Sequence, residues 1–151
     1  MANIHTDHEL RDALYALGPD QQRILGCRFA EAVTRLSKDD RVNRAIETGL
    51  REGVSPAELE DAFKAAKAYA TKTYTDCGKD TDWLAQADHF VAAAAAAALT
   101  PDALMAEKQN RAWKAAVQAR MAINCELIES DDAPDESEAE RQYAIANAFL
   151  G

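Results

Sequence analysis

The chain has 151 residues, a length that suits one compact domain. Its 33 alanines supply almost half of the 48% hydrophobic content, while valine and isoleucine together number 11; this balance disfavours strands and favours helices. A net charge of −9, from 26 acids against 17 lysines and arginines, argues against a nucleic-acid binder and equally against an anionic membrane surface.

Helix punctuation is legible along the chain. Thr6, with Glu9 three residues on, forms a capping box and predicts a short first helix to Leu17. Gly18-Pro19-Asp20 stops it and opens a second, in which Leu25, Phe29, Val33 and Leu36 recur on one face. A third follows Ser37, with Val42, Ile46 and Leu50 inward and Gly53 closing it. Asp39 and Asp40 open that helix, where carboxylates complement the positive end of the helix dipole. Arg41 carries a planar fork able to clamp a carboxylate, with Glu31 and Glu47 as candidates. Ser55-Pro56-Ala57-Glu58 is the clearest start signal of all. It opens a fourth helix with Leu59, Phe63, Ala66 and Tyr69 or Ala70 on its inner face.

Cys77 to Asp82 reads as a loop, after which Leu84, Ala87, Val91, Ala94 and Ala98 mark a fifth helix. The seven alanines 92–98 let neighbouring helices pack at the close end of the usual range of about 8–10 Å. The same run could instead roof a ligand cleft. Thr100-Pro101-Asp102 ends the helix and opens a sixth that extends to Ile128. If continuous, this helix is about 40 Å long, and a break near Asn110 is the alternative. Its polar stripe is narrow (Glu107, Arg111, Lys114, Gln118) and is flanked by Trp113, Ala116, Val117, Met121 and Ile123, which suits a central position in a bundle.

Residues 126–140 hold eight acids and no base, whereas residues 1–125 carry 18 acids and 16 bases. Nearly all the excess charge is therefore one late segment. Pro134 interrupts it, and a final short helix carries Tyr143, Ala146, Phe149 and Leu150. The expected architecture is all-α: a compact orthogonal bundle of six to seven helices over residues 1–128, an acidic linker at 129–136, and a C-terminal helix over 137–151 that docks on the bundle. The acidic segment reads either as a solvated linker or as a docking surface that steers a basic partner electrostatically.

Reactive side chains are scattered. Cys27, Cys77 and Cys125 form no CxxC pair, and an odd, widely spaced set suits reduced thiols. Cys27 falls inside a helix and reads as a small core hydrophobe, while Cys77 is the better candidate thiol. His5 and His8 lie beside Asp7 and Glu9, too few imidazoles for a closed metal site. His89 follows Asp88, but adjacent helical residues point apart. Phosphate-loop, dinucleotide, nucleophile-elbow and HExxH patterns do not occur. No catalytic residue, metal ligand or cofactor is assigned. The first residues lack the charged and apolar regions of a signal peptide, and the run Phe90–Leu99 is far short of the about 20 residues a membrane span needs. The expected location is cytoplasmic.

Gly49, Leu50, Gly53, Val54, Ser55 and Leu59 have the spacing of a helix-turn-helix, yet Glu58, Glu60 and Asp61 would repel phosphates at its second helix. A broader likeness covers residues 22–98. Cys27, Ala30, Glu31 and Val33, followed by Asp39, Asp40, Arg41, Arg44, Ala45, Ile46 and Glu47 and two alanine-rich helices, resemble a family of all-helical bacterial immunity proteins of polymorphic toxin systems. That resemblance implies a non-enzymatic protein that binds and silences a toxin. Residues 45–70 also look like the helix pair of carboxymuconolactone decarboxylase-type proteins. Where peroxidase members of that group carry CxxCxxxH, this chain has Lys38, Arg41 and Ala45.

The leading expectation is a module that occludes a protein partner. Its contacts are assigned to Glu129, Asp131, Asp132, Asp135 and Glu136, together with Asp39, Asp40 and Arg41. The alternatives are a decarboxylase-like or thiol-dependent protein using Cys77 or Cys27, and an acidic anti-defence protein of a phage or mobile element that imitates nucleic acid. The expected partner is a protein, basic in character, rather than nucleic acid or membrane.

Overall fold

The computed structural model describes residues 3–74, 81–131 and 137–151. Within them the regular structure is helical throughout: α1 (Asp7–Tyr15), α2 (Pro19–Glu31), α3 (Asp40–Leu50), α4 (Pro56–Thr73), α5 (Trp83–Leu99), α6 (Arg111–Ser130) and α7 (Glu138–Leu150). Short 3-10 turns lie at Thr34–Leu36 and Asp102–Leu104.

Side chains close six of the seven helix starts. Thr6, Asp39, Ser55, Asp82, Asn110 and Ser137 each accept a backbone N–H of the following turn. Such caps satisfy donors that the helix cannot pair internally. At Ser55 the box is reciprocal, because Glu58 also accepts from the Ser55 backbone. The start of α2 uses Gly18 followed by Pro19, where the missing N–H costs nothing.

Three boundaries differ from the periodicity. The second helix stops at Glu31, and Leu36 lies in the 3-10 turn beyond it. Val33 is nevertheless fully buried, so the apolar pattern recorded burial rather than helix length. The sixth helix begins at Arg111, capped by Asn110, so the break is real and α6 spans about 30 Å. At its far end α6 continues through Ser130, which takes Glu129 out of the linker and onto the helix. Arg111 also departs from its place on the polar stripe. It is buried, with Nε donating to the Thr100 carbonyl (2.5 Å) and Nη2 paired with Asp102. Leu84 and Met121, expected inward or near the core, are exposed.

Helix α5 is the centre of the bundle and packs against α2, α3, α4 and α6. Ala92, Ala94, Ala95 and Ala98 are fully buried in it. Close approach continues on the partner helices: a Cβ at Gly26 would lie 2.9 Å from the Ala98 Cβ and 3.3 Å from the Ala112 Cα. Small residues from α2, α5 and α6 thus meet at one point, where bulk on any of them would push the helices apart. A second apolar cluster holds α1 and α7 to the bundle through Leu10, Leu14, Leu25, Phe29, Ala112 and Ala146. Polar clamps orient these helices. Asn110 Nδ2 donates to the Leu14 carbonyl (2.9 Å), Gln142 Nε2 to the Ala116 carbonyl (2.9 Å), and Asn147 exchanges two hydrogen bonds with the Ile4 backbone. Among the described residues, no helix is long and apolar enough to cross a membrane.

Candidate functional site

Ala98 near the end of α5 meets the same glycine as Ala112 near the start of α6, so the two helices run antiparallel. The C-terminus of α6 therefore lies at the end of the bundle where α5 begins. Two long-range contacts bring the start of α3 to that end. The Arg35 guanidinium forms a two-pronged pair with Glu126 of α6, one prong being Nη2–Oε1 at 2.7 Å. The Lys38 backbone N–H donates to Asp88 Oδ1 of α5 at 2.7 Å. Asp39, Asp40 and Arg41 thus share one end of the molecule with Glu129 and Asp131. Asp132, Asp135 and Glu136 lie outside the described residues.

The two halves of this end differ in how far their charges are committed. Asp39 caps α3 by accepting from the Arg41 N–H (2.8 Å) and also accepts from Arg41 Nε (3.0 Å) and Nη2 (2.8 Å). The guanidinium and the backbone donor together hold its carboxyl down at about 2. Arg41 is thereby paired with Asp39, not with Glu31 or Glu47. The N-cap carboxylate hangs over the first turn, whereas Glu31 is taken by Arg28 (3.3 Å) and Glu47 lies about 240° round the helix. Arg41 also sits over the ring of Tyr69, 5.7 Å from its centroid. Tyr69 in turn donates to Asp88 Oδ2 at 2.6 Å, and burial followed by that carboxylate pushes its phenol up to about 12. Asp39, Arg41, Tyr69 and Asp88 form a structural chain that fixes α3 on α4 and α5, with Asp40 exposed beside it.

The α6 half is freer. Arg35 lowers the Glu126 carboxyl, while Glu129 and Asp131 are exposed. No base occupies the last turn of α6, and Asp131 closes the helix in the left-handed region at φ 57°. Acids at this end add to the negative pole of the helix, where cations are the stabilising choice. Beside them Met121 and Ile128, 40% and 54% exposed, stand seven residues apart on one helical stripe.

The other candidate groups resolve as follows. Cys27 is fully buried, and its thiol is pushed up to about 12 by that burial. This is the small core residue that its helical position implied. Cys125 is buried too, and Cys77 lies outside the described residues. His8 pairs with Asp12 (3.3 Å) on the surface. The half-buried His89 meets Thr73 Oγ1 at 3.1 Å, and burial lowers its pKa. No group of three or more His, Cys, Asp or Glu side chains among the described residues could hold a metal ion. Glu58, at the would-be recognition helix, is engaged by its cap and by Arg51 (2.9 Å).

Two features escaped the sequence. Trp113 is flanked by the guanidinium groups of Arg11 (5.2 Å) and Arg120 (5.3 Å), and Arg120 reaches Asp7 of α1 and Gln142 of α7. Two adjoining clefts, of about 540 and 620 Å³, run along α4: the first lies among α4, the start of α2 and residues 98–104, and the second lies between α4 and α6, floored in part by Ala96 and Ala97. The alanine run hinted at the second, but its walls come from residues as far off as Phe63 and Gln118.

Comparison with known proteins finds no matching family model, no matching curated protein and no matching solved structure.

Proposed function

We propose that this protein is a binding module of the immunity type, a non-enzymatic inhibitor that occludes a basic protein partner. The observation that carries the reading is the end of α6. There Glu129 and Asp131 are exposed at the negative helix pole, the last turn of α6 carries no base of its own, and Ile128 and Met121 are exposed on one stripe of the same helix. An arrangement that costs stability in the free chain is accounted for if a cationic partner surface covers it. The acids steer the encounter and the apolar pair supplies the desolvated contact. Asp39 and Arg41 contribute a rigid neighbour, because they are already paired with each other. The likeness of residues 22–98 to immunity proteins supports the same reading.

The test begins with capture of a stoichiometric partner from the native host. Association is then measured across salt concentrations for the parent chain, for Glu129→Lys/Asp131→Lys, and for Ile128→Ser. Charge reversal slows association by about tenfold or more at low salt and flattens its salt dependence. Ile128→Ser acts mainly on dissociation. Unchanged rates for both variants sink the proposal.

A further inference from the structure

We infer that the paired clefts along α4 form a binding site for an amphiphilic carboxylate, with a hydrocarbon body and one anionic head. The inference is independent of the partner at the α6 terminus, because the clefts use other surfaces of the bundle.

Each cleft falls in the range of about 300–1,000 Å³ typical of small-molecule sites. They share Phe63, Thr100 and Leu104, so one ligand can occupy both. The first is walled by Leu59, Phe63, Leu99 and Leu104 with prolines at its rim. Leu104 stands 64% exposed there, an apolar side chain waiting for cover. The second carries Lys67, Lys114 and His89 and, among the described residues lining it, no carboxylate. In a chain of net charge −9, such an acid-free cationic compartment is the opposite of the average surface.

The cations are also grouped rather than scattered. Lys64 and Lys67 stand one turn apart on α4, and Arg111 and Lys114 stand one turn apart on α6, with the α5 floor between them. Lys64 is occupied by Glu60 (2.9 Å). Arg111 is only 7% exposed, and Nε and Nη2 hold Thr100 and Asp102. Its side chain lines the first cleft. A carboxylate in the second cleft meets Lys67 and Lys114, and its hydrocarbon chain runs past Phe63 toward Leu59 and Leu99. Ala96 and Ala97 leave room for it because they end at Cβ.

The experiment titrates the full chain by calorimetry with laurate, dodecan-1-ol and dodecyltrimethylammonium, each below its micellar concentration. Laurate is expected to bind saturably at one per chain, the alcohol more weakly, and the cation not at all. Lys67→Gln/Lys114→Gln weakens laurate by about tenfold or more, the loss expected when charge-assisted hydrogen bonds are removed. Ala93→Trp plugs the second cleft and abolishes binding. Circular dichroism melts check that both variants fold, and the exposed lysine pair keeps the test open if the tryptophan variant does not. Glu129→Lys/Asp131→Lys leaves laurate binding unchanged. Equal binding of all three amphiphiles, binding indifferent to the lysine pair, or binding of an acidic amphipathic helical peptide in place of laurate overturns the inference.

Discussion

Gly49 is the position where a single methyl group tests the packing argument most directly. A Cβ there would lie 2.4 Å from Cys27 Sγ and 2.8 Å from Leu99 Cδ2, well inside the separation of about 3.5–4.0 Å at which such atoms attract. Cys27, the nearer neighbour, is fully buried and has no free space, and Leu99 is nearly buried. Helix α3 cannot simply retreat, because Arg23 Nε donates to the Gly49 carbonyl at 3.0 Å. Overpacking of this kind costs about 1–3 kcal/mol. Alanine recovers up to about 1 kcal/mol of helix propensity, less near a helix end. The net expectation for Gly49→Ala is a loss of about 1–2 kcal/mol, or a fall in Tm of about 2–8 °C for a chain of this size. Urea unfolding followed by circular dichroism measures it, with the midpoint lowered and the slope unchanged. Cys27→Ala removes the nearer obstacle. In that background Gly49→Ala costs less, with a coupling of about 0.5 kcal/mol or more, while Leu99 keeps the rescue partial. A Gly49→Ala protein that melts at or above the parent temperature, or an identical cost in both backgrounds, refutes the steric account.

Two further perturbations test the polar contacts that dock α7 and α1. Glu138 is buried at the start of α7, its Oε2 has no hydrogen-bond partner, and burial raises its pKa. The folded state therefore favours the protonated acid, so this group carries no penalty below the ordinary glutamate value near 4.5 and destabilises progressively as pH rises through the raised folded value. Glu138→Gln should accordingly raise Tm at pH 7 while matching the parent near pH 4; a lower Tm at pH 7 contradicts it. Asp7 has the opposite sign: its hydrogen bond to Arg120 lowers its pKa, so the stabilisation is present above the ordinary aspartate value near 3.8 and is lost as pH falls through the lower folded value. Asp7→Asn should lower Tm at pH 7 by no more than about 4 °C, since the pair is half exposed, and the gap should close in acid. A gap that persists at pH 2 assigns the effect to something other than the carboxylate.

What this sequence determined by itself is its local grammar. Thr6, Asp39, Ser55, Pro19 and Pro56 mark helix starts because a cap or an N1 proline acts within four residues of chain, and the alanine content makes helix the favoured state between those marks. Apolar periodicity identified burial at Leu25, Phe29, Val42 and Ile46. It overran the end of α2 because a buried residue and a helical residue leave the same mark in a sequence. The assembly of the candidate site was decided only in three dimensions. Arg35 meets Glu126 across 91 positions, Arg41 turns to its own cap, and Arg111 leaves the polar stripe for the interior. Each outcome depends on which charges become neighbours once α5 and α6 lie antiparallel. That choice is made by the packing of alanines and glycines, which fit almost any partner in sequence and few in space.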